Sequence, residues 1–454
     1  MKKFFVCMLA LMLAVGMSFG AAAESARDGY VNTGKLQYDL DHEVNNGEPM
    51  TLEFWVQVEL AETYQKWCDA YTALHPNITF NITQGSNEDH FRKLGMALPA
   101  GKGPQLFHMH NSFIDQFMAN LKPYDPELFP LDALREDYIF VDESLYGGNM
   151  YYQGLAVMSC GIFYNKQMWA DAGLTENDIP KTWDELAEAA VKLTRYDENG
   201  KMEVAGFNYN EMSMEYLITA MKYHLGAAMF EADGRTPLFN DDFKTVVQWL
   251  KDLYVEKKAG SVELPMSILS FSQNTSAMTY IGTWFGGWMQ ANAPDIGYGF
   301  FIMPSADGSV PAAYDRSNIE VSPAINAKVT DAEYAVINDF LCYLISNDNF
   351  VLDFALTQYG TPTKKCLIEN PDVQADEVLG TTARYMDRLI YPGNYPDSYH
   401  SLLKKYFYDE VMLNGMEIED AMKACKEEII DSMESTEFIS EENRYPHADE
   451  LSFE

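Results

Sequence analysis

Positive charge is in short supply in this chain. Its 454 residues carry 32 lysines and arginines against 68 aspartates and glutamates, a formal charge of −36. Such a polyanion is repelled by phosphate backbones and by anionic lipid surfaces, which excludes nucleic acid and a charged membrane face as partners. The acidity itself is read as solubility outside the cytoplasm. Cysteine is scarce too: six residues, scattered, with no CxxC. That pattern builds neither a disulfide framework nor a zinc site, although one or two pairs could form. Beyond the N-terminus no apolar run approaches the ~20 residues needed to span a bilayer. There is no internal repeat, heptad array or low-complexity tract.

Motifs of catalysis are missing as well. There is no G-x-S-x-G elbow and no HExxH. Gly101-Lys102-Gly103-Pro104 lacks the Walker spacing and a Ser or Thr after the lysine. Asp197-Glu198-Asn199-Gly200 reads as a turn, because the alternating acidic ligands and closing Glu of a calcium loop are absent. His108 and His110 fall on one face of a strand, but no third or fourth ligand stands nearby, so a polar wall is a better reading than a metal centre. Asp241-Asp242 and Glu427-Glu428 are adjacent acids of the kind that so acidic a composition produces by chance. No catalytic residue, no metal and no cofactor is assigned, and the balance favours a protein that binds and releases.

What is present begins with a processing signal. Lys2 and Lys3 precede the apolar run Phe4 to Phe19, and Ala21-Ala22-Ala23 fits a small-x-small cleavage site. Residues 1–23 are read as a signal peptide. Cys7 lies too early in it to be a lipid attachment site, so the expected product is exported, periplasmic or at the cell surface, and not a lipoprotein. Its removal takes two lysines and no acid, making the chain still more negative. Residues 24–49 are polar and irregular and are read as a flexible leader. With a hydrophobic content of 47% and a prior of roughly 150 residues per domain, two domains with a sizeable core are expected.

Order starts with TLEFWV (51–56), a run of β-favouring residues. Tyr64, Trp67, Tyr71 and Leu74 then recur at helical spacing, ITFNIT (78–83) alternates like a strand, Phe91, Leu94 and Leu98 mark a helix, and LFHMH (106–110) is a third strand. Strands alternating with helices predict βαβ units and a mainly parallel sheet. Thr182 with Glu185, and Thr330 with Glu333, form capping boxes that open helices. From Ser398 to about Met433 the chain is predicted helical, broken at Asn414-Gly415. One stretch fits no ordinary element: GTWFGGWM (282–289) sets two tryptophans and a phenylalanine among three glycines. A core strand needs no glycine and a solvent loop needs no tryptophan, so these residues read as aromatic faces held open for something flat.

In order along the chain come Leu74-His75-Pro76-Asn77-Ile78, LGMALPAGKGP (94–104), Leu121-Lys122-Pro123, GIFYNKQMWADAGL (161–174), PKTWDELAEAAVKLT (180–194), NGKMEVAGF (199–207), GTW (282–284), GFFIMP (299–304) and YGTP (359–362). This ordered set resembles the extracellular solute-binding proteins of family 1, the maltose-binding-like sugar receptors of ABC importers, from about residue 50 to the C-terminus. The resemblance implies an α/β, type II-like periplasmic-binding-protein fold of two lobes around a hinged cleft. Each lobe would be a mainly parallel sheet flanked by helices: residues 48–154 plus 304–360, and 155–303 plus 361–454.

It also implies a cleft-facing aromatic at Trp284. An indole covers the apolar face of a sugar ring while polar groups satisfy its hydroxyls. Trp288, one helical turn on, is the second aromatic candidate. Trp55, Gln57 and Glu59 follow the first strand. His110 and Asn111 stand where the family often has a carboxylate, a departure from any specific maltose site. Ser159, with Cys160 beside it, precedes the FYNK strand. Tyr216 opens the helix after Gly206 to Asn210, and Arg316 lies in a polar loop, able to fork onto two hydroxyls or a carboxylate. The expected partners are a carbohydrate and the transmembrane subunits of an ABC permease, with no nucleic acid, and the expected state is a monomer. The alternatives are a binding protein for a non-sugar solute such as a polyamine, and an exported glycoside-active enzyme with two carboxyls ~5–10 Å apart.

Overall fold

The structure is a computed structural model that describes residues 23–434, 436 and 438–454. The signal peptide assigned to residues 1–23 lies outside the described residues except for Ala23. The chain divides into two compact units. One is formed by the residues up to Val157 with Ile319–Asn370, the other by Met158–Asn318 with Pro371–Glu454. The stretch 304–316 belongs with the second unit because Trp183 donates its amide to Ser305 at 3.1 Å and Asp315–Arg316 pairs with Leu389–Ile390. The stretch after Gly360 stays with the first, since Thr361 and Pro362 pair with Val157 and Ala156.

In the first unit the strand Met50–Gln57 lies parallel to Ile78–Gly85 on one side and to Leu106–Phe107 on the other. Ala324–Asn326 joins antiparallel to Leu106–Phe107 and to Leu121–Lys122, closing a five-stranded mixed sheet. The helix Ala61–Leu74 makes the first crossover and buries Tyr64, Trp67, Cys68 and Tyr71, positions three, four and seven apart that share one face. The Tyr71 ring packs 5.0 Å from that of Phe340 and 5.5 Å from that of Tyr343, both on the helix Asp331–Ser346. That helix opens with the expected Thr330–Glu333 capping box. The strand read over 106–110 is shorter than its pattern: pairing stops after Phe107, and His110 returns only through an isolated bridge to Glu320.

Residues 30–44, read from their polarity as part of a flexible leader, are instead packed onto the first unit. Leu36 and Val44 are buried in its core. The Asp137 carboxylate accepts from the amides of Lys35 at 2.6 Å and Leu36 at 2.8 Å. The Tyr38 hydroxyl donates to Asp339 at 2.9 Å, and His42 meets the same carboxylate. A few apolar side chains and two well-placed acids are enough to order a segment whose composition looks like linker.

In the second unit the strand Cys160–Asn165 is buried throughout and runs antiparallel to both neighbours, Met278–Gly282 and Tyr298–Phe301. The mainly parallel sheet expected for each lobe is therefore mixed here. Antiparallel neighbours that lie far apart in sequence owe their direction to the return of a distant segment, not to a local βαβ crossover. Parallel contacts flank this sheet as the bridges of Ala205 with Ser276 and Asn208 with Thr279 on the outer side of Met278–Gly282, and elsewhere in the unit Asp315–Arg316 runs parallel to Leu389–Ile390. At the helix Trp183–Leu193, Thr182 accepts from the Glu185 amide at 3.1 Å, but Glu185 returns its bond to the amide of Lys181 at 2.7 Å rather than to Thr182. Near the C-terminus the chain is helical over Asp397–Leu403, widens into π-helix over Lys404–Leu413, breaks, and resumes over Ile418–Met433. Among the described residues no helix is long and apolar enough to cross a membrane.

Candidate functional site

The stretch GTWFGGWM is the end of one element and the start of another. Gly282 closes the strand Met278–Gly282, and Phe285–Asn292 is a helix that holds Gly286 and Gly287. The expectation that this stretch fits no ordinary element is thus corrected: the backbone is regular, and Trp284 stands at the junction as the residue before the helix. Its indole is 36% exposed, whereas Phe285 beside it is fully buried. The indole lies back over Gly282, so that a Cβ on that glycine would fall 2.4 Å from Trp284 Nε1. The glycine is there to make room for the ring. Trp288 is half-buried and stacks on Phe285 with ring centres 5.4 Å apart, which gives that indole a packing partner within the helix.

Around the start of Trp284's strand pair the structure gathers three further candidates. Gly282 faces Cys160 in register, and the Thr283 amide donates to the Ser159 carbonyl at 2.9 Å. Ser159 is itself buried, so it contributes backbone more than hydroxyl. Cys160 lies within electrostatic reach of Asp315 and Arg316, and burial together with the Asp315 charge pushes its thiol up to about 12. Arg316 is half-buried, its guanidinium 4.0 Å over the ring of Tyr216, and its Nε is buried without a hydrogen-bond partner. The Asp315 carboxylate accepts from Tyr280 Oη at 2.6 Å and from the Arg316 amide at 2.7 Å. Burial raises it to about 7 in spite of the Tyr280 bond and the Arg316 charge, both of which pull it down.

Two residues missed in the sequence complete this nest. Glu215, next to Tyr216 on the helix Met212–His224, is buried, and burial lifts its carboxyl to about 8 against the opposing charges of Arg316 and Lys404. His400 sits edge-on to Tyr216 at 5.3 Å and places Nδ1 3.7 Å from Glu215 Oε1. Burial first, and the Arg316 charge second, hold its ring down to about 3. Glu215 had a signal, as the one acid in the run SMEYLITAM. His400 had none, because it is brought in from nearly two hundred residues away.

The first unit's candidates spread along its strand ends. Trp55 is half-buried within Met50–Gln57 and its carbonyl accepts from the His108 amide at 2.8 Å. Gln57 is buried and donates from Nε2 to Asn87 Oδ1 at 2.8 Å. Glu59 is exposed on the turn Val58–Leu60. His110 and the buried Asn111 adjoin; His110 Nε2 is 3.5 Å from Glu320 Oε1. Burial works against the charged form of His110, but the Glu320 carboxylate outweighs it and the net shift is upward. His108, the other half of the HxH pair, is fully buried with both ring nitrogens unpartnered. Among the described residues no group of three or more His, Cys, Asp or Glu is placed to hold a metal ion.

Two compact α/β units, each with aromatic and polar groups at strand ends, define a binding protein of the bacterial extracellular solute-binding class. The family profile of bacterial extracellular solute-binding proteins matches residues 57–349, and the chain belongs to that family. A maltotriose-binding protein from Pyrococcus abyssi is 27% identical over 179 residues, a match that spans 39% of this chain and 36% of the relative's length. The fold is that of the two-lobe maltose-binding-type proteins. A cyclic alpha-maltosyl-1,6-maltose binding protein from Arthrobacter globiformis superposes with a TM-score of 0.72 at 17% identity, covering 86% of this chain and 100% of that one. A maltose/maltodextrin-binding domain from Bdellovibrio bacteriovorus, bound to maltotriose, gives 0.67 at 21% identity over 85% of this chain and 100% of that one.

Proposed function

We propose that the protein is the exported substrate-binding component of an ABC importer, that it binds a sugar or oligosaccharide without transforming it, and that it delivers the ligand to a membrane permease. The observation that carries this reading is the Trp284 indole, exposed and backed by Gly282 at the end of a buried strand whose partner residue Cys160 lies within electrostatic reach of Arg316, itself stacked on Tyr216. An apolar plane next to a few placed polar groups is the arrangement that a sugar ring requires, one side of it C–H and its rim hydroxyl. The maltotriose-binding relative and the fold neighbours support the ligand class. Trp55, Gln57, Glu59, His110 and Asn111 remain proposed contacts, and Trp288 and Ser159 are proposed to act through packing and backbone. Export through a cleaved leader to the periplasm or cell surface, without a lipid anchor, is part of the same proposal.

The test is calorimetry of residues 24–454 against mono- and oligosaccharides that include maltose, maltotriose and maltotetraose. Binding of at least one, weakened by Trp284→Ala, is expected. Failure of every sugar to bind, or tighter binding of a polyamine, refutes the ligand class. Shortening of a bound oligosaccharide over hours refutes the non-enzymatic role.

A further inference from the structure

We propose that the ligand carries a carboxylate and that Arg316 receives it; this rests on the saccharide-binding reading above. The guanidinium is laid flat on Tyr216, and its buried Nε finds no acceptor. Among the described residues no Asp or Glu oxygen lies within ion-pair distance, 4.0 Å, of Arg316. The two nearest acids are otherwise engaged. The Asp315 oxygens take the Tyr280 hydroxyl and the backbone amide of Arg316, and Glu215 faces His400. Burial keeps Glu215 largely protonated near neutral pH, at about 8, and leaves Asp315, at about 7, only about half ionised, while His400 is held uncharged. Lys404, which also reaches Glu215 with its charge, is paired with Asp409 at 3.3 Å.

Arg316 is therefore a cation of the nest with no ion-pair partner among the described residues and a buried Nε that no acceptor meets. Withdrawing an ion from water is unfavourable unless a counter-charge and good hydrogen bonds replace the water. The planar fork of N–H donors matches the two oxygens of a carboxylate, whereas a pair of sugar hydroxyls satisfies its hydrogen bonds but not its charge. Stacking on Tyr216 fixes the plane of the fork in advance, so little freedom is lost when an acid arrives. A uronic acid supplies the carboxylate on a ring that Trp284 can still cover. Maltotriose, the ligand of the Bdellovibrio structure, has no such group.

The experiment titrates residues 24–454, at pH 7 and low salt, with glucuronate and galacturonate oligomers of two and three units, with their carboxyl-reduced neutral counterparts, and with maltotriose. An acidic oligomer is expected to bind at least ~10-fold tighter than its neutral counterpart. Arg316→Gln is expected to weaken the acidic oligomer about ten times more than it weakens the neutral one, and Arg316→Lys to recover part of the difference as a point charge without the fork. Equal affinity for the acidic and reduced forms, or equal losses for both on Arg316→Gln, overturns the proposal while leaving sugar binding intact. If Arg316→Gln does not fold by circular dichroism, the acidic-to-neutral ratio of the unmodified protein decides alone. If no saccharide of either kind binds, the sugar reading itself falls and this proposal falls with it.

Discussion

At Gly282 a methyl group has nowhere to go. Its carbon would stand 2.4 Å from Nε1 and 2.6 Å from Cδ1 of Trp284, well inside contact distance. The obstacle is a side chain that is 36% exposed rather than a buried backbone. In Gly282→Ala the indole therefore swings outward while the strand stays paired with Cys160. Forcing the ring off its preferred rotamer costs about 0.5–1.5 kcal/mol. Replacing a strand glycine by alanine returns about 0.5–1 kcal/mol, because the unfolded chain has less freedom to lose. The two nearly cancel, so the melting temperature should move little. Ligand affinity does not share in that cancellation. An aromatic face in the right place is worth about 0.5–1.5 kcal/mol beyond the area it covers, so displacing it should weaken a bound sugar roughly 2- to 12-fold. Calorimetry measures the affinity, tryptophan emission reports the displaced indole, and a thermal melt controls for folding. Shifted emission with unchanged affinity would mean that the indole touches no ligand. A fall in melting temperature in proportion to the loss of affinity would make Gly282 merely structural.

Three further outcomes follow from buried charge and packing. Because Glu215 is raised to about 8 by burial, the folded protein keeps a proton that the unfolded chain releases from about pH 4.5 upward, so stability falls as pH rises through that window. Glu215→Gln removes the loss, and its stability gain over the parent should grow from near zero at pH 5 to ~1–3 kcal/mol at pH 8 in urea titrations; a gain independent of pH refutes the assignment. In the first unit Lys364 is fully buried and ion-paired to Asp348 at 2.6 Å. Lys364→Met should cost about 3–5 kcal/mol in the unfolding of that unit, because Asp348 is left as an unpaired buried charge; a change below ~1 kcal/mol argues against the pair. Deleting residues 24–44 strips Leu36 and Tyr38 from the first unit, takes from Asp137 the amides of Lys35 and Leu36, and leaves Asp339 with Tyr71 but without Tyr38 and His42. The truncated chain should melt several degrees lower and become sensitive to protease, and an unchanged melt would restore the reading of a flexible leader.

The amino-acid sequence by itself determined the local elements and the family. Side chains that repeat every three or four residues bury one helix face wherever the rest of the chain lies, so the helix at Ala61–Leu74 was legible, as was the break at Asn414-Gly415. Thr330 and Glu333 cap a helix through contacts three residues apart, which spacing alone specifies. The glycines and aromatics of GTWFGGWM singled out Trp284 as a candidate, but not the regular strand-to-helix junction on which it stands. Strand direction in the second unit was decided only by the tertiary structure, since nothing in GIFYNK states which distant segment will lie beside it. The order of residues 30–44 likewise depends on acids about one hundred and three hundred positions away in sequence. The nest around Arg316 is the clearest case. Tyr216, Glu215, Asp315 and His400 come from three separated stretches, and their proton affinities are set by burial, a property of the packed interior that no residue carries alone.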